Sequence, residues 1–322
     1  MKRVSFQSVV VGAFGAALLA VAAGCGEDPA APPHGGAIAV WGGPGRTDGL
    51  FHAPRAAAHD RDRLYIVDKT GRIQVFDLGG RWRATWILPK FDKGFPSGLG
   101  VRADGALGVA DTHNYVVRVY DPEGIEIMVF GREGGEPGEF TYLTDVEFDG
   151  EGRLYVCEHG RRDRIQKFDP DGRFLLQWGD TGEEPGEFHR PQALAVDGDG
   201  NVYVADAGNH RVQKFTPDGE FLAVFGSPGD APGEMLYPYD LAISAEGDLV
   251  VCEYGNNRVQ VFDRSGRGIA ILGKAGREEG ELATPWAVCC VPDRGIYVLD
   301  TGNHRVQVFP MPRSDRAGSE TG

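Results

Sequence analysis

Three pairs of opposite charge recur at a fixed offset: Asp206 with Arg211, Glu253 with Arg258, and Asp300 with Arg305. Each pair flanks a short Gly-Asn loop, and folding that loop back as a hairpin brings the acid to the guanidinium. The chemistry available is charge-assisted hydrogen bonding, to each other or to loop amides. Recurrence argues against catalysis, because a reaction centre is needed once. His210 and His304 stand just before two of these arginines in separate copies, so they are expected to orient loops and not to share a metal. Glu139, Glu187, Glu234 and Glu281 also repeat, and are expected to be solvated or bonded to loop amides. Cys157 and Cys252 fall at one repeat position, a small buried slot, too far apart for a disulfide. Cys289 and Cys290 are adjacent on a strand and point to opposite faces, with a vicinal disulfide as the alternative. No paired Cys-x-x-Cys spacing exists, so no zinc cluster is expected.

The elements that position these residues are strands. Four segments share one cadence, beginning with Gly-Arg-Glu-Gly-Gly-Glu-Pro-Gly-Glu-Phe at 131–140 and continuing at 179–188, 226–235 and 273–282. Aromatic residues keep the same beat at Phe76, Tyr120, Phe168, Phe215, Phe262 and Phe309, spaced by 44, 48, 47, 47 and 47. The acids Asp68, Asp111, Glu158, Asp206, Glu253 and Asp300 agree, so there are six copies. Within a copy, period-two runs such as 193–197, 202–206, 211–216 and 221–225 are separated by turn pairs, and no stretch of ten residues is free of Gly, Pro or turn signals. With Gly 48 and Pro 20 in 322 residues, helical bundles and coiled coils are excluded. Four antiparallel strands in about 47 residues make one propeller blade. The sixth copy lacks a fourth strand, and 37–41 followed by Gly42 supplies the missing pattern, so this segment is expected to pair with the last blade and close the ring. The fold class is therefore all-β: a six-bladed propeller over 37–310.

Asp206-Ala-Gly-Asn-His-Arg-Val212 and Asp300-Thr-Gly-Asn-His-Arg-Val306 resemble the signature of NHL repeats. The first two copies diverge most: Asp111 is followed by Val116 where other blades place Arg, and the second copy lacks the Gly-Glu-Phe loop. Some relatives that the resemblance brings in are lyases of peptidyl-α-hydroxyglycine, whose rim histidines hold a metal. In this chain the first rim position carries Arg55, Ser97, Thr144, Gln192, Tyr239 and Trp286, none of them His. Propeller lactonases hold calcium in the channel, and Asp145, Asp240 and Gln192 could imitate part of that set. RNA-binding relatives present a basic face, which a formal charge of −14 opposes.

Function is expected where the copies disagree. Arg55, Thr144, Asp145, Gln192, Tyr239, Asp240 and Trp286 are the candidate ligand-binding residues, a rim able to stack on and hydrogen-bond a ligand. No catalytic residue, metal ligand or cofactor is assigned; calcium or zinc belongs only to the alternative reading of a lyase or lactonase-like hydrolase.

At the N-terminus, Lys2 and Arg3 precede an uncharged run from Val9 to Ala23, an export signal over 1–24. The string 19–25 resembles a bacterial lipoprotein signal, which implies lipidation of Cys25, a tether over 25–36 and membrane contact through that lipid alone. Cleavage there removes two cations and moves the charge to −16. The tail at 311–322 reads as disordered. The reading at this level is a monomeric binding or scaffold module of the bacterial cell envelope, whose partner is an envelope protein, peptide or glycan and not a nucleic acid.

Overall fold

The computed structural model describes residues 36–89 and 94–312. The signal at 1–24, Cys25, most of the tether and the tail beyond residue 312 lie outside the described residues. Within them the chain forms six antiparallel sheets of four strands each, arranged as the blades of a propeller. The alternating Val, Tyr, Phe and Ala runs become strands because each blade is sandwiched between two neighbours. Its second strand, such as Val202–Asp206, is buried along its length, while the outer strand Phe221–Phe225 stays largely open to solvent. Six apolar clusters fill the six seams between blades, and one joins Leu64, Ile66 and Phe76 of the first blade to Leu299, Val306 and Val308 of the last.

That last seam is closed by the N-terminal strand. Ala39–Gly42 pairs antiparallel with Arg305–Phe309, with Ala39 opposite Val308 and Trp41 opposite Val306. The Ile38 N–H donates to the Val308 carbonyl at 2.7 Å. The sequence expectation starts this strand at residue 37; the ladder begins two residues later. Trp41 packs its ring 4.8 Å from that of Phe76 in the first blade, so one side chain holds the closing strand to both flanks of the seam. Trp41→Ala is expected to lower the unfolding free energy by about 2–3 kcal/mol, somewhat below the range for a fully buried Trp. Urea denaturation checks it, and a loss under about 0.5 kcal/mol, the scatter of surface substitutions, contradicts the role given to this strand.

The repeated acids and arginines tie each blade to the loop entering it. Asp206 Oδ2 accepts from Arg211 Nε at 2.8 Å, Asn209 Nδ2 at 2.9 Å and Gln213 Nε2 at 3.1 Å, while Oδ1 accepts from the His189 N–H at 2.7 Å. Glu253 with Arg258 and Asp300 with Arg305 repeat the pairing at 2.8 and 2.7 Å. Arg211 and Gln213 also donate to the Glu187 carbonyl, and Gln213 accepts from the Gly186 N–H. Glu139, Glu187, Glu234 and Glu281 accept from N–H groups inside their own loops.

Among the described residues five loops of this kind are present, one more than the cadence shows. Residues 42–51 close in the same way, with Pro44 bridging Phe51 as Thr181 bridges Phe188. Leu50 stands where the other copies carry Glu, which hides the motif. The second blade has Arg118 at the position that is Gln74, Gln166, Gln213, Gln260 or Gln307 elsewhere. Arg118 reaches Asp111 at 2.7 Å and Glu126 at 2.6 Å. A Gln is used where a loop needs both a donor and an acceptor; without that loop, Arg supplies the counter-charge of Asp111 from the Gln position.

Candidate functional site

The inner strands line a central cavity of about 200 Å³. Their register against the second strands slips between Pro54 and Ala56, Leu143 and Asp145, Pro191 and Leu194, and Pro238 and Asp240. Arg55, Thr144, Gln192 and Tyr239 are therefore bulge residues outside the ladder, and a bulge re-aims the side chain it carries. Together with Ser97 and Trp286 they line the cavity.

The structure divides these residues into two groups. Ser97 Oγ donates to the Leu143 carbonyl at 2.9 Å, and Thr144 Oγ1 donates to the Pro191 carbonyl at 3.1 Å, so both hydroxyls fasten a blade to the next. Gln192 Nε2 donates to the Arg190 carbonyl at 3.4 Å. Tyr239 and Trp286, by contrast, meet in a half-buried aromatic cluster. Their ring centroids are 4.8 Å apart at 66°, and Tyr254 stacks on Tyr239 at 4.5 Å and meets Trp286 edge-on at 5.5 Å. The Arg55 guanidinium lies 3.7 Å from the Trp286 ring centroid, a cation–π contact between the first and sixth blades. Burial holds this guanidinium below its ordinary pKa, opposed by the nearby phenols of Tyr239 and Tyr254. Its charge in turn lowers that of Lys69 on the adjoining loop.

Below the rim, Asp145 and Asp240 act as clasps between blades. Asp145 Oδ2 accepts from the Leu194 N–H at 2.8 Å, and Asp240 Oδ2 accepts from the Val288 N–H at 2.8 Å. The equivalent residue in the second blade is Gly98, where a Cβ would lie 2.3 Å from both Cα and Oδ1 of Asp145; the glycine makes room for the acid. Glu147 joins them in the lumen. Glu147 and Asp240 keep part of their surface open to the lumen but have protein on every side. Burial pushes Glu147 up to about 8, with the Asp240 charge adding to it and the Phe148 N–H opposing. Burial likewise pushes Asp240 up to about 7. Asp145 is raised by burial and then by the charges of Glu147 and Asp240.

Two members of the site, Glu147 and Tyr254, are absent from the sequence expectations. Glu147 occupies a position that is Ala58, Gly100, Ala195, Ala242 or Cys289 in the other blades, and a large acid among five small residues was the available signal. Tyr254 sits at the loop position shared by Lys69, Thr112, His159, Ala207 and Thr301, a second place where the copies disagree.

The loop histidines make structural bonds. His210 Nδ1 accepts from the Tyr237 N–H and His304 Nδ1 from the Ala53 N–H, both at 3.0 Å, and Asn257 Oδ1 does the same for the Thr284 N–H. Cys157, Cys252, Cys289 and Cys290 are free thiols; Cys289 faces the seam with the first blade and Cys290 the seam with the fifth. Among the described residues no three His, Cys, Asp or Glu side chains are grouped so as to hold a metal ion.

Six four-stranded blades closed by the N-terminal strand define a six-bladed β-propeller, and solved propellers share its fold at low identity. Streptogramin B lyase is 14% identical with a TM-score of 0.60, covering 82% of this chain and 95% of its own. Virginiamycin B lyase from Staphylococcus aureus is 14% identical with a TM-score of 0.57, over 81% of this chain and 95% of its own. A Bacteroides thetaiotaomicron protein of unknown function is 17% identical with a TM-score of 0.62, over 86% and 75%. At such identities the likeness is one of fold alone. No curated protein matches the sequence. Residues 188–215, 235–262 and 282–309 match the NHL repeat, so the fourth, fifth and sixth blades of this propeller carry NHL repeats.

Proposed function

We propose that this chain is an exported, lipid-anchored binding module of a bacterial cell envelope, which takes a protein, peptide or glycan ligand at the loop face of its propeller. The observation that carries the reading is the cluster of Arg55, Tyr239, Tyr254 and Trp286. It combines three half-buried rings and a cation at the mouth of a cavity. Aromatic and arginine side chains in such a setting carry most of the free energy at recognition sites. Export and anchoring follow the resemblance of 19–25 to a lipoprotein signal. Trp286→Ala and Tyr239→Ala are expected to fold as the wild type by circular dichroism and to lose retention of the partner in a pull-down from an envelope extract. Unchanged retention in both variants discards the site.

A second reading, a lyase or lactonase-like hydrolase working in the lumen, draws on Glu147. A carboxyl titrating at about 8 keeps its proton at neutral pH and has the character of a general acid. Metal analysis separates the two readings. A stoichiometric calcium or zinc ion that survives gel filtration and disappears in Asp145→Ala or Asp240→Ala turns the assignment to the enzyme.

A further inference from the structure

The buried arginines of the third strands all have acids. Arg72 pairs with Asp68, Arg164 with Glu158, Arg211 with Asp206, Arg258 with Glu253 and Arg305 with Asp300. Arg55 departs from this rule. Among the described residues it forms no ion pair, and its Nε is buried without a hydrogen-bond partner. The carboxyls of Asp145 and Asp240 are bound to backbone N–H groups of the neighbouring blades and do not serve it. Lys69 and Arg190, both on the loop face near the same cluster, also lack an ion pair among the described residues. Asp163, a carboxylate of the same face, is taken up by the Arg190 and Gly160 N–H groups. Three unpaired cations thus gather at one mouth of a protein whose formal charge is −14. A buried donor left without an acceptor is destabilising, and its retention calls for an explanation.

We propose that the mouth binds an organic carboxylate end-on: the carboxylate meets the Arg55 guanidinium, Lys69 and Arg190 add the surrounding field, and an apolar or aromatic body lies against Tyr239, Tyr254 and Trp286. This rests on the reading of the mouth as the binding site and names the ligand's chemistry. A guanidinium fork matches a carboxylate in shape and charge. The Glu147 and Asp240 carboxyls below, lifted to about 8 and about 7, carry less negative charge behind the mouth at neutral pH than two ordinary carboxylates would. A cavity of about 200 Å³ admits one terminal group and not a polymer in side-on contact. Trp286 meets the stacked pair of Tyr239 and Tyr254 at 66° and 80°, so the three rings form a corner, which suits a compact side chain better than the broad face of a sugar. The same carboxylate chemistry comes from a free small acid or from the last residue of a peptide.

Calorimetric titration of the full chain with N-acetyl-phenylalanine and its amide, and with the tripeptide Ala-Ala-Phe as free acid and as amide, tests this. The acids are expected to bind at least tenfold more tightly than the amides. Arg55→Gln is expected to remove that preference, bringing the affinity for the acids down to that for the amides. Equal binding of N-acetyl-phenylalanine and the tripeptide acid identifies a small acid as the ligand; tighter binding of the tripeptide acid identifies a peptide end. Equal affinity for acid and amide, no binding of any probe by the wild type, or preference for an oligouronate over both acids overturns the carboxylate. Loss of amide binding in Trp286→Ala, with no acid preference in the wild type, overturns the carboxylate while the mouth itself stands.

Discussion

Arg164→Met is expected to lose about 3–5 kcal/mol of unfolding free energy, the range for a broken buried ion pair. Arg164 is fully buried, and its Nε donates to Glu158 at 2.7 Å. Its remaining donors reach Gln177 Oε1 at 2.8 Å, the Gly135 carbonyl at 3.1 Å and the Glu139 carbonyl at 3.0 Å. Methionine fills much of the volume but leaves the Glu158 charge without its guanidinium and four acceptors, the Glu136 carbonyl at 3.4 Å among them, without their donor. The loop at 131–140 should therefore lose amide protection together with global stability. Arg132→Ala is the contrast within the same loop: Arg132 pairs with Glu139 at 2.7 Å, but its side chain is 79% exposed, so the change should stay within about 0.5 kcal/mol. Urea denaturation of the two variants decides the matter. An Arg164→Met protein within about 1 kcal/mol of wild type shows that packing, and not the buried pair, holds the loop.

The frame of this molecule was legible in the sequence because it is written six times. The third-strand aromatics and the acids ending the second strands each mark the repeat, and the closing strand was visible as the fourth-strand pattern missing from the last copy. Where one copy departs from the others, periodicity loses its grip. Leu50 in place of a Glu concealed the loop at 42–51, and Arg118 two positions beyond Val116 concealed the partner of Asp111. The site was legible in position but not in role. One repeat position located Arg55, Tyr239 and Trp286, yet alignment gives no account of direction, so Ser97 and Thr144 could not be told apart from the residues of the aromatic cluster. Only the bonds to Leu143 and Pro191 show that these two hydroxyls fasten blades. Asp145 and Asp240 looked like free rim carboxylates, and the structure gives them a backbone N–H of the next blade to hold. A repeat fixes the backbone and leaves a few positions free to vary, and the free positions here fall on two neighbouring loops, one of which supplies Tyr254.

Raising the pH from 5 to 8 should destabilise the fold, and Glu147→Gln should remove part of that loss. Ionised Asp and Glu in an unfolded chain titrate near 4. Glu147 at about 8 and Asp240 at about 7, with Asp145 also raised, hold protons in the folded state long after the unfolded chain has released them. Below pH 4 both states are protonated and the three groups favour neither. Between about 4 and about 8 the folded state binds more protons than the unfolded state, so the unfolding free energy falls with rising pH, and above that window the slope vanishes. One unit of pKa difference corresponds to about 1.4 kcal/mol, so a single carboxyl at about 7 in place of 3.8 lowers stability by on the order of 4 kcal/mol at the top of the window. The three titrate as a set, because the Asp240 charge raises Glu147 and both raise Asp145. Groups shifted the other way, such as Asp77, held low by the Arg81 N–H, give stability that is lost only as the pH falls toward their own low values. The stability maximum should therefore lie near pH 5. Glutamine at 147 keeps the shape and removes one proton from the linkage, so its melting temperature at pH 8 should exceed the wild type by several degrees while the two proteins converge near pH 4. Equal slopes for wild type and Glu147→Gln between pH 5 and 8 would show that the lumen carboxyls are already ionised and hydrated, and the acidic alternative for Glu147 would fall with them.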